Sequence, residues 1–143
     1  MKKLLIILLV SVSGFSQGLF EVRTSHQTMG INELLRVDFV THDDGEKFAA
    51  PSFEGFTIKE GPRTREYEET IKGKKKYSFE HSYLLQPQKK GTSTIGAASI
   101  LIGGEEFKSA PVAITIGDAV KLNGKLQTLE PPVHPAYLET DDE

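Results

Sequence analysis

Apolar and polar residues alternate with a period of two from residue 20 to residue 117, and clusters of Gly, Pro and Asp interrupt the alternation at short intervals. No segment in this range keeps a 3.6-residue apolar stripe for three helical turns. Short alternating segments separated by turn residues are typical of a β-sandwich or a β-barrel. The predicted strands are Phe20–His26, Leu34–Thr41, Phe56–Glu60, Arg65–Ile71, Lys75–Gln86, Thr92–Ile102, Glu105–Lys108 and Val112–Ile116.

The alternation also predicts which side chains point into the core, because successive side chains of a strand face opposite sides of the sheet. The predicted inward side chains are Leu35, Val37, Phe39, Phe79, His81, Tyr83, Leu85, Val112, Ile114 and Ile116. The predicted outward side chains are Arg36, Asp38, Ser78, Glu80, Ser82 and Gln86.

One turn predicts the register of a hairpin directly. Gly103-Gly104 suits a two-residue turn with positive φ at both positions. That register places Ile100 opposite Phe107, so two apolar residues pair on the core face.

A second hairpin turns at residues 72–74, and its register depends on the length of the loop. A three-residue loop sets Tyr67 against Phe79, whereas a two-residue loop sets Glu66 against it. We predict the three-residue loop.

The N-terminal residues have the layout of a secretory signal peptide. A positive segment at residues 2–3 is followed by a short apolar segment at residues 4–12, and small residues precede Gln17. The apolar run is shorter than the roughly 20 residues that a membrane-spanning helix needs. No cysteine follows it, which excludes a lipoprotein. We therefore expect residues 1–16 to be removed by cleavage between Ser16 and Gln17, and the protein to be exported to the periplasm or the periplasm-facing cell envelope.

Residues 17–118 form one predicted domain, since a chain of this length can bury a core unaided. Residues 119–143 differ in character, because they are rich in proline and end in acidic residues, which is typical of a linker or tail. Within them, residues 122–126 read as a weak strand or a hairpin remnant. A fragment of a longer protein would also end in such a linker.

Charge and composition exclude several kinds of partner and chemistry. The formal net charge is −3, and removal of the predicted signal peptide takes away two lysines and no acidic residue, which lowers it to −5. A mildly acidic protein is not expected to bind nucleic acid or anionic lipid. The chain has no cysteine, so disulfides, thiol redox chemistry and thiolate metal sites are excluded.

Three blocks rich in Gly, Pro and aromatic residues are more specific than the alternation. They read PSFEGFTIKEGP at 51–62, YLLQPQKKGTSTIGAASI at 83–100 and GEEFKSAPV at 104–112. In order and spacing these blocks resemble the first domain of the BatD family, the Bacteroides aerotolerance proteins of the cell envelope. The resemblance covers about residues 20–118. It implies an all-β, immunoglobulin-like β-sandwich of about seven to eight strands.

The resemblance also implies protein partners. The usual neighbours of this family are a MoxR-type ATPase, proteins with von Willebrand factor A domains and a tetratricopeptide-repeat protein. It therefore implies a non-catalytic scaffold for envelope partners, without a small-molecule substrate, that contributes to tolerance of oxygen or envelope stress. Members of the family are usually longer and have a C-terminal transmembrane helix, so contact with a membrane is expected only through the signal segment or through such an anchor.

Asp43, Asp44 and Glu46 form an acidic turn, which is the candidate partner-binding site. The A domains of the implied partners can hold a divalent cation with an open coordination position, and Mg²⁺ prefers oxygen ligands. One of these three carboxylates could occupy that position. Two alternatives stay open: the turn is only solvated, as acidic turns commonly are, or the partner adds a strand at a sheet edge near Pro111.

The sequence contains no recognisable catalytic, cofactor or metal site. A nucleophile with its base, a Gly-x-Ser-x-Gly turn, a Walker motif and a His-Glu-x-x-His motif are all absent. The histidines lack the spacing of a metal pair; they are His26, His42, His81 and His134. We expect His81 to be a partly buried, hydrogen-bonded structural residue.

The basic cluster consists of Lys72, Lys74, Lys75 and Lys76, and three glutamates stand shortly before it. Cross-strand charge pairing on an exposed hairpin explains both sets of residues. Nucleic-acid binding would need more basic residues with aromatic residues between them.

These observations favour a non-catalytic periplasmic interaction module. The first alternative is a carbohydrate- or peptidoglycan-binding module, which is disfavoured because Trp is absent and no row of exposed aromatic residues stands out. The second alternative is an enzyme, which would require a further catalytic domain in a longer protein.

Overall fold

A computed structural model describes residues 19–132; the predicted signal peptide, its cleavage site between Ser16 and Gln17, and the acidic C-terminal residues lie outside this range. Every regular element within it is a β-strand, and none of its segments is a helix long and apolar enough to cross a membrane. The strands are β1 (Phe20–Thr24), β2 (Thr28–Gly30), β3 (Leu35–Thr41), β4 (Glu46–Ala49), β5 (Phe56–Ile71), β6 (Lys74–Pro87), β7 (Gly91–Ile95), β8 (Ser99–Ile102), β9 (Glu105–Lys108), β10 (Val112–Gly117), β11 (Lys121–Leu122) and β12 (Lys125–Leu126).

Four strands form the first layer of the sandwich, in the order β1-β3-β6-β5, and every neighbouring pair is antiparallel. The central strand β3 pairs with the whole of β1, and with β6 from Leu35↔Leu85 to Thr41↔Phe79. This strand order is that of the ABED sheet of an immunoglobulin fold. The chain is therefore an immunoglobulin-like β-sandwich, as predicted.

The second layer consists of two three-stranded sheets, β2-β10-β7 and β4-β8-β9, that continue one another. β7 leads into β8 and β9 leads into β10 through two short breaks. Across these breaks the Ser109 amide donates to the Ala98 carbonyl at 3.0 Å, and the Ala98 amide donates to Ser109 Oγ at 2.8 Å. The single strand predicted over Thr92–Ile102 is therefore corrected to two strands, β7 and β8.

Side chains from the facing sides of both layers form a hydrophobic core. Leu35, Val37 and Phe39 of β3 are fully buried, as the alternation predicts. The ring of Phe39 meets the ring of Tyr83 edge-on, with 6.1 Å between centroids. Burying a side chain of this size stabilises the fold by about 1.5–3 kcal/mol. The second layer contributes Ile95, Ile100, Ile114 and Ile116.

β5 is one long strand, although the alternation predicts two, Phe56–Glu60 and Arg65–Ile71. Its pairing with β6 shifts at two β-bulges between Ile58 and Arg63. The strand therefore continues through Gly61-Pro62, where the turn-forming residues predict a break. Gly61 has a φ of 119°, and a Cβ there would lie 2.7 Å from a backbone oxygen of β6, so the bulge requires glycine.

The hairpin between β8 and β9 has the predicted geometry. Gly103 and Gly104 both have positive φ, and they form a two-residue turn. Ile100 faces Phe107, which confirms the predicted register.

The hairpin between β5 and β6 also closes on two residues, Lys72 and Gly73, with φ of 52° and 77°. The predicted three-residue loop is wrong, because Glu66 and not Tyr67 faces Phe79. Two consecutive positive φ angles give the turn whose twist matches that of the flanking strands. This match outweighs the cost of positive φ at a lysine.

Burial departs from the prediction at several positions of the first layer. Asp38, Glu80 and Ser82 are 2 %, 3 % and 7 % exposed, although their side chains belong to the face away from the core. Phe79 and His81, which are predicted for the core, are only half-buried. β3 ends opposite Phe79, whereas His81 lies opposite Phe39 within the paired part of β3. The alternation therefore assigns the faces correctly and the degree of burial wrongly.

The described part of the predicted linker, up to residue 132, is attached to the sandwich. Asn123 and Gly124 have positive φ and form the turn of the β11-β12 hairpin, the hairpin remnant suggested by the sequence. Asn32 Nδ2 donates to the Val120 and Gln127 carbonyls, each at 2.7 Å. These bonds hold the hairpin beside the connection between β2 and β3.

Candidate partner-binding surface

The acidic turn crosses between the two layers of the sandwich, because β3 lies in the first layer and β4 in the second. Asp43, Asp44 and Glu46 are all exposed. Gly45 holds the turn against the core: a Cβ at this position would lie 2.5 Å from Ile100 Cδ1. The candidate carboxylates are therefore exposed on a turn whose backbone packs closely against Ile100 at Gly45.

The three carboxylates do not converge on one point. Asp43 lines an open cleft of about 630 Å³ beside the β5–β6 hairpin. Asp44 lines a separate cleft of about 380 Å³, together with Arg65 and His81. Glu46 is the first residue of β4. The three carboxylates therefore lie in three different surroundings.

The geometry of the turn bears on how it could take part in metal binding. Within residues 19–132, no group of three or more His, Asp or Glu side chains could hold a metal ion. The three carboxylates of the turn therefore do not form such a group. Of the histidines considered, His134 lies outside the described residues.

The β5–β6 hairpin extends beyond the rest of the first layer. β3 pairs with β6 only over Phe79–Leu85, so residues 74–78 pair only with residues 67–71 of β5 in the part of the chain that the structure describes. We refer to these two segments and the turn between them as the ribbon. Five residues per strand at roughly 3.3 Å each give it a length of about 16 Å, and most of its side chains are exposed.

The lysines of the ribbon are only partly paired with the preceding glutamates. Lys75 Nζ lies 3.1 Å from Glu68 Oε1. No described carboxylate lies within salt-bridge distance of the other three ammonium groups, those of Lys72, Lys74 and Lys76. Cross-strand ion pairing therefore accounts for one of the four lysines.

His81 is a structural residue at the base of the ribbon. Its ring stacks on the ring of Phe48 in β4, with 3.9 Å between centroids and 14° between planes. Burial lowers the pKa of His81, because the charged imidazolium loses hydration in this place. The contact joins the two layers. The expected partial burial is confirmed, but the expected side-chain hydrogen bond is not found among the described residues.

The sheet edge near Pro111 is partly open. β2 pairs with β10 only over Thr115–Gly117, and Ala110 and Pro111 are exposed. The outer edge of β9 and of the first half of β10 therefore has no strand partner among the described residues. Because proline lacks the amide hydrogen, Pro111 interrupts the row of donors along this edge.

The free edge of β6 in the ribbon was not predicted from the sequence. A signal for it is present, since the predicted strand Lys75–Gln86 is longer than its neighbour Leu34–Thr41. Which end of the longer strand stays uncovered depends on the register, which the alternation alone does not provide.

Comparison with known protein families supports the resemblance noted in the sequence. A family model described as the BatD DUF11 like domain matches residues 22–116. This range begins in β1 and ends in β10, so it includes both layers, the acidic turn and the ribbon. Comparisons with curated proteins and with solved structures found no match.

Proposed function

Because this chain belongs to the BatD family, we propose that it is a non-catalytic protein–protein interaction module on the periplasmic side of the cell envelope. Domains of this family are generally non-catalytic. The predicted signal peptide at residues 1–16 supports the location. In this role the chain is a scaffold for envelope partners and contributes to tolerance of oxygen or envelope stress.

The observation that carries this proposal is the position of the acidic turn beside the ribbon. Asp43 and Tyr77 line the same open cleft, so the two elements form one continuous surface at one end of the sandwich. This surface combines exposed carboxylates, exposed ammonium groups and an exposed aromatic ring. Such a projecting, chemically mixed surface suits recognition of another protein.

The proposed partner is a protein with a von Willebrand factor A domain, in a system that also contains a MoxR-type ATPase. In the proposed contact, Asp43, Asp44 or Glu46 supplies an oxygen ligand to a Mg²⁺ ion of the A domain. The exposure of all three side chains supports this mode, since a ligand for a cation on another protein must be reachable from solvent.

The test is a pull-down of the neighbouring A-domain protein by this chain, in Mg²⁺ and again in chelator. We expect capture in Mg²⁺, and loss of capture with chelator or with the double change Asp43→Ala, Asp44→Ala. Glu54→Ala removes an exposed carboxylate from the β4–β5 connection and should leave capture unchanged. Capture that survives both the chelator and the double change would discard the carboxylate mode. Failure of capture under every condition would discard the proposed partner.

A carbohydrate- or peptidoglycan-binding module has less support. Tyr77 is the one aromatic residue among the large exposed apolar side chains between residues 19 and 132. A sugar-stacking platform uses several aromatic rings in a row, and this part of the chain presents a single ring.

A further inference from the structure

The β6 edge of the ribbon has unused backbone hydrogen-bonding groups. Ile71 and Lys74, which flank the two-residue turn, form backbone hydrogen bonds with each other. From Lys74 onward, every second residue of β6 forms backbone hydrogen bonds with β5. Lys75 and Tyr77 therefore direct their backbone N–H and C=O groups to the opposite side. On that side β3 has already ended.

The open cleft of about 630 Å³ reaches this edge and is also lined by Glu69 and Ile71 of β5. His42 and Asp43, which directly follow the last residue of β3, line one part of it. Lys75, Lys76 and Tyr77 of the ribbon line another part. A strand placed in this cleft would prolong the line of β3 and pair with β6.

The β6 edge of the ribbon is regular, whereas two bulges and Pro62 disrupt the outer edge of β5 between residues 58 and 63, and Pro111 interrupts the edge of β9 and β10. Over residues 67–71 the outer edge of β5 is regular too, but this segment contains Glu68 and Glu69 and no lysine. The pairing of residues 74–78 with β5 shows no shift in register. Natural sheets block exposed edges with bulges, proline or lysine, and of these three devices the ribbon edge has only lysine.

We propose that the β6 edge of the ribbon binds an extended, acidic segment of a partner protein by strand addition. The backbone of Lys75 and Tyr77 supplies the hydrogen bonds. Lys75 stands on one face of the ribbon and Lys74 and Lys76 on the other, because side chains alternate along a strand. An added strand therefore meets ammonium groups on both of its faces.

The same lysines determine which strands can pair. Two copies of the ribbon would bring like charges together, which disfavours self-association through this edge. Asp43 and Glu69 line the cleft away from the tip, whereas residues 70–76 contain four lysines and no carboxylate. The carboxylates of the bound segment therefore lie toward the tip of the ribbon.

This inference rests on the proposed interaction role and specifies a second contact for it. Its test uses the full chain labelled with ¹⁵N, and two short capped peptides that alternate valine with glutamate or valine with lysine. The two peptides share backbone and β-propensity and differ only in charge. We expect the glutamate peptide to bind about tenfold more tightly, to shift the amide resonances of Lys75 and Tyr77, and to slow their hydrogen exchange.

Substitutions at Tyr77 separate backbone pairing from side-chain contact. Tyr77→Pro removes the outward N–H and leaves the hydrogen bonds to β5, so it should abolish binding of the glutamate peptide. Tyr77→Ala keeps the N–H and should weaken binding only a few-fold. The double change Lys74→Glu, Lys76→Glu leaves the backbone intact and should reverse the preference to the lysine peptide. This charge reversal decides the question if the amide spectrum shows that Tyr77→Pro does not fold.

Three results with the peptides would overturn the inference: equal binding of both peptides, binding that shifts amides of β9 and β10 instead of β6, or no binding at about millimolar peptide. Vesicles of phosphatidylglycerol that shift the ribbon resonances, when neither peptide does, would assign the lysines to a membrane surface and also overturn it. The two proposals fail separately. Capture of the A-domain protein without peptide binding overturns only the strand-addition edge, and peptide binding without capture overturns only the proposed partner.

Discussion

Glu66 lies directly opposite Phe79 across the β5–β6 hairpin. The pairing follows from a turn of two residues, Lys72 and Gly73, which both have positive φ. It determines which residues of β6 direct their backbone groups to the free edge, since a shift of one residue would exchange the two sets. The geometry of this turn thus sets the proposed binding edge.

Substitution of Lys72 tests the turn. Lys72→Asn should raise the free energy of unfolding by about 0.5–1 kcal/mol, because asparagine adopts positive φ more readily and Asn-Gly is a preferred pair for such a turn. Lys72→Val should lower it by roughly 1 kcal/mol, because a β-branched side chain tolerates positive φ less well than lysine does. Urea unfolding of the wild-type chain and both variants measures the difference. Equal stability of the two variants would show that the turn has another geometry.

Truncation of two phenylalanines tests where the core ends. Phe39 is fully buried and should cost about 3–5 kcal/mol of unfolding free energy when changed to alanine. Phe79 is half-buried at the base of the ribbon, so Phe79→Ala should cost only about 1–2 kcal/mol. Denaturant unfolding of both variants provides the comparison. A greater loss of unfolding free energy at Phe79 than at Phe39 would contradict the observed burial of the two rings.

Much of the fold can be predicted from the sequence, because burial of apolar side chains in a sandwich follows a period of two. Gly103-Gly104 predicts its register correctly, since both glycines adopt positive φ freely. Lys72 gives the opposite signal. Lysine seldom adopts positive φ, so the sequence favours a longer loop than the one that forms. The twist that the flanking strands require of the turn outweighs the preference of lysine for negative φ.

Burial of Asp38 and Glu80 could not be predicted in the same way. A period-two pattern assigns a side chain to a face, and it contains no information on what covers that face. The acidic turn is predicted as exposed, and the structure agrees. Its division between two clefts, with Asp43 in one and Asp44 in the other, depends on how the chain crosses between layers, which local sequence does not encode.

Acid should destabilise the fold through His81. Burial lowers the pKa of His81 in the folded state below its ordinary value of 6.5, so the unfolded chain takes up the proton first as the pH falls. The stabilisation from the neutral ring is complete above about pH 6.5 and is lost as the pH falls through the folded pKa.

His81→Phe keeps an aromatic ring against Phe48 and removes the titration. It should flatten the dependence of Tm on pH between about pH 7 and pH 5. His42→Gln, at an exposed histidine that does not stack on Phe48, is the matched control for the loss of an imidazole. A slope that is the same in His81→Phe and wild type would contradict this account.

Export has its own direct test. Mass spectrometry of the protein purified from the cell envelope should find an N-terminus at Gln17, within about two residues, because the small residues before it suit signal peptidase. An intact Met1 in that fraction would contradict the predicted cleavage.

Site-specific photo-crosslinking in intact cells tests the interaction role most directly. A benzoylphenylalanine residue is placed at Tyr77 in the ribbon, at His42 beside it, and at Leu126, which is exposed near the other end of β3. If the ribbon and the acidic turn form the partner-binding surface, irradiation should link Tyr77 and His42 to the A-domain protein, identified by mass spectrometry, and Leu126 should give no such adduct. Adducts of that protein with Leu126 alone, or with none of the three positions, would contradict the account.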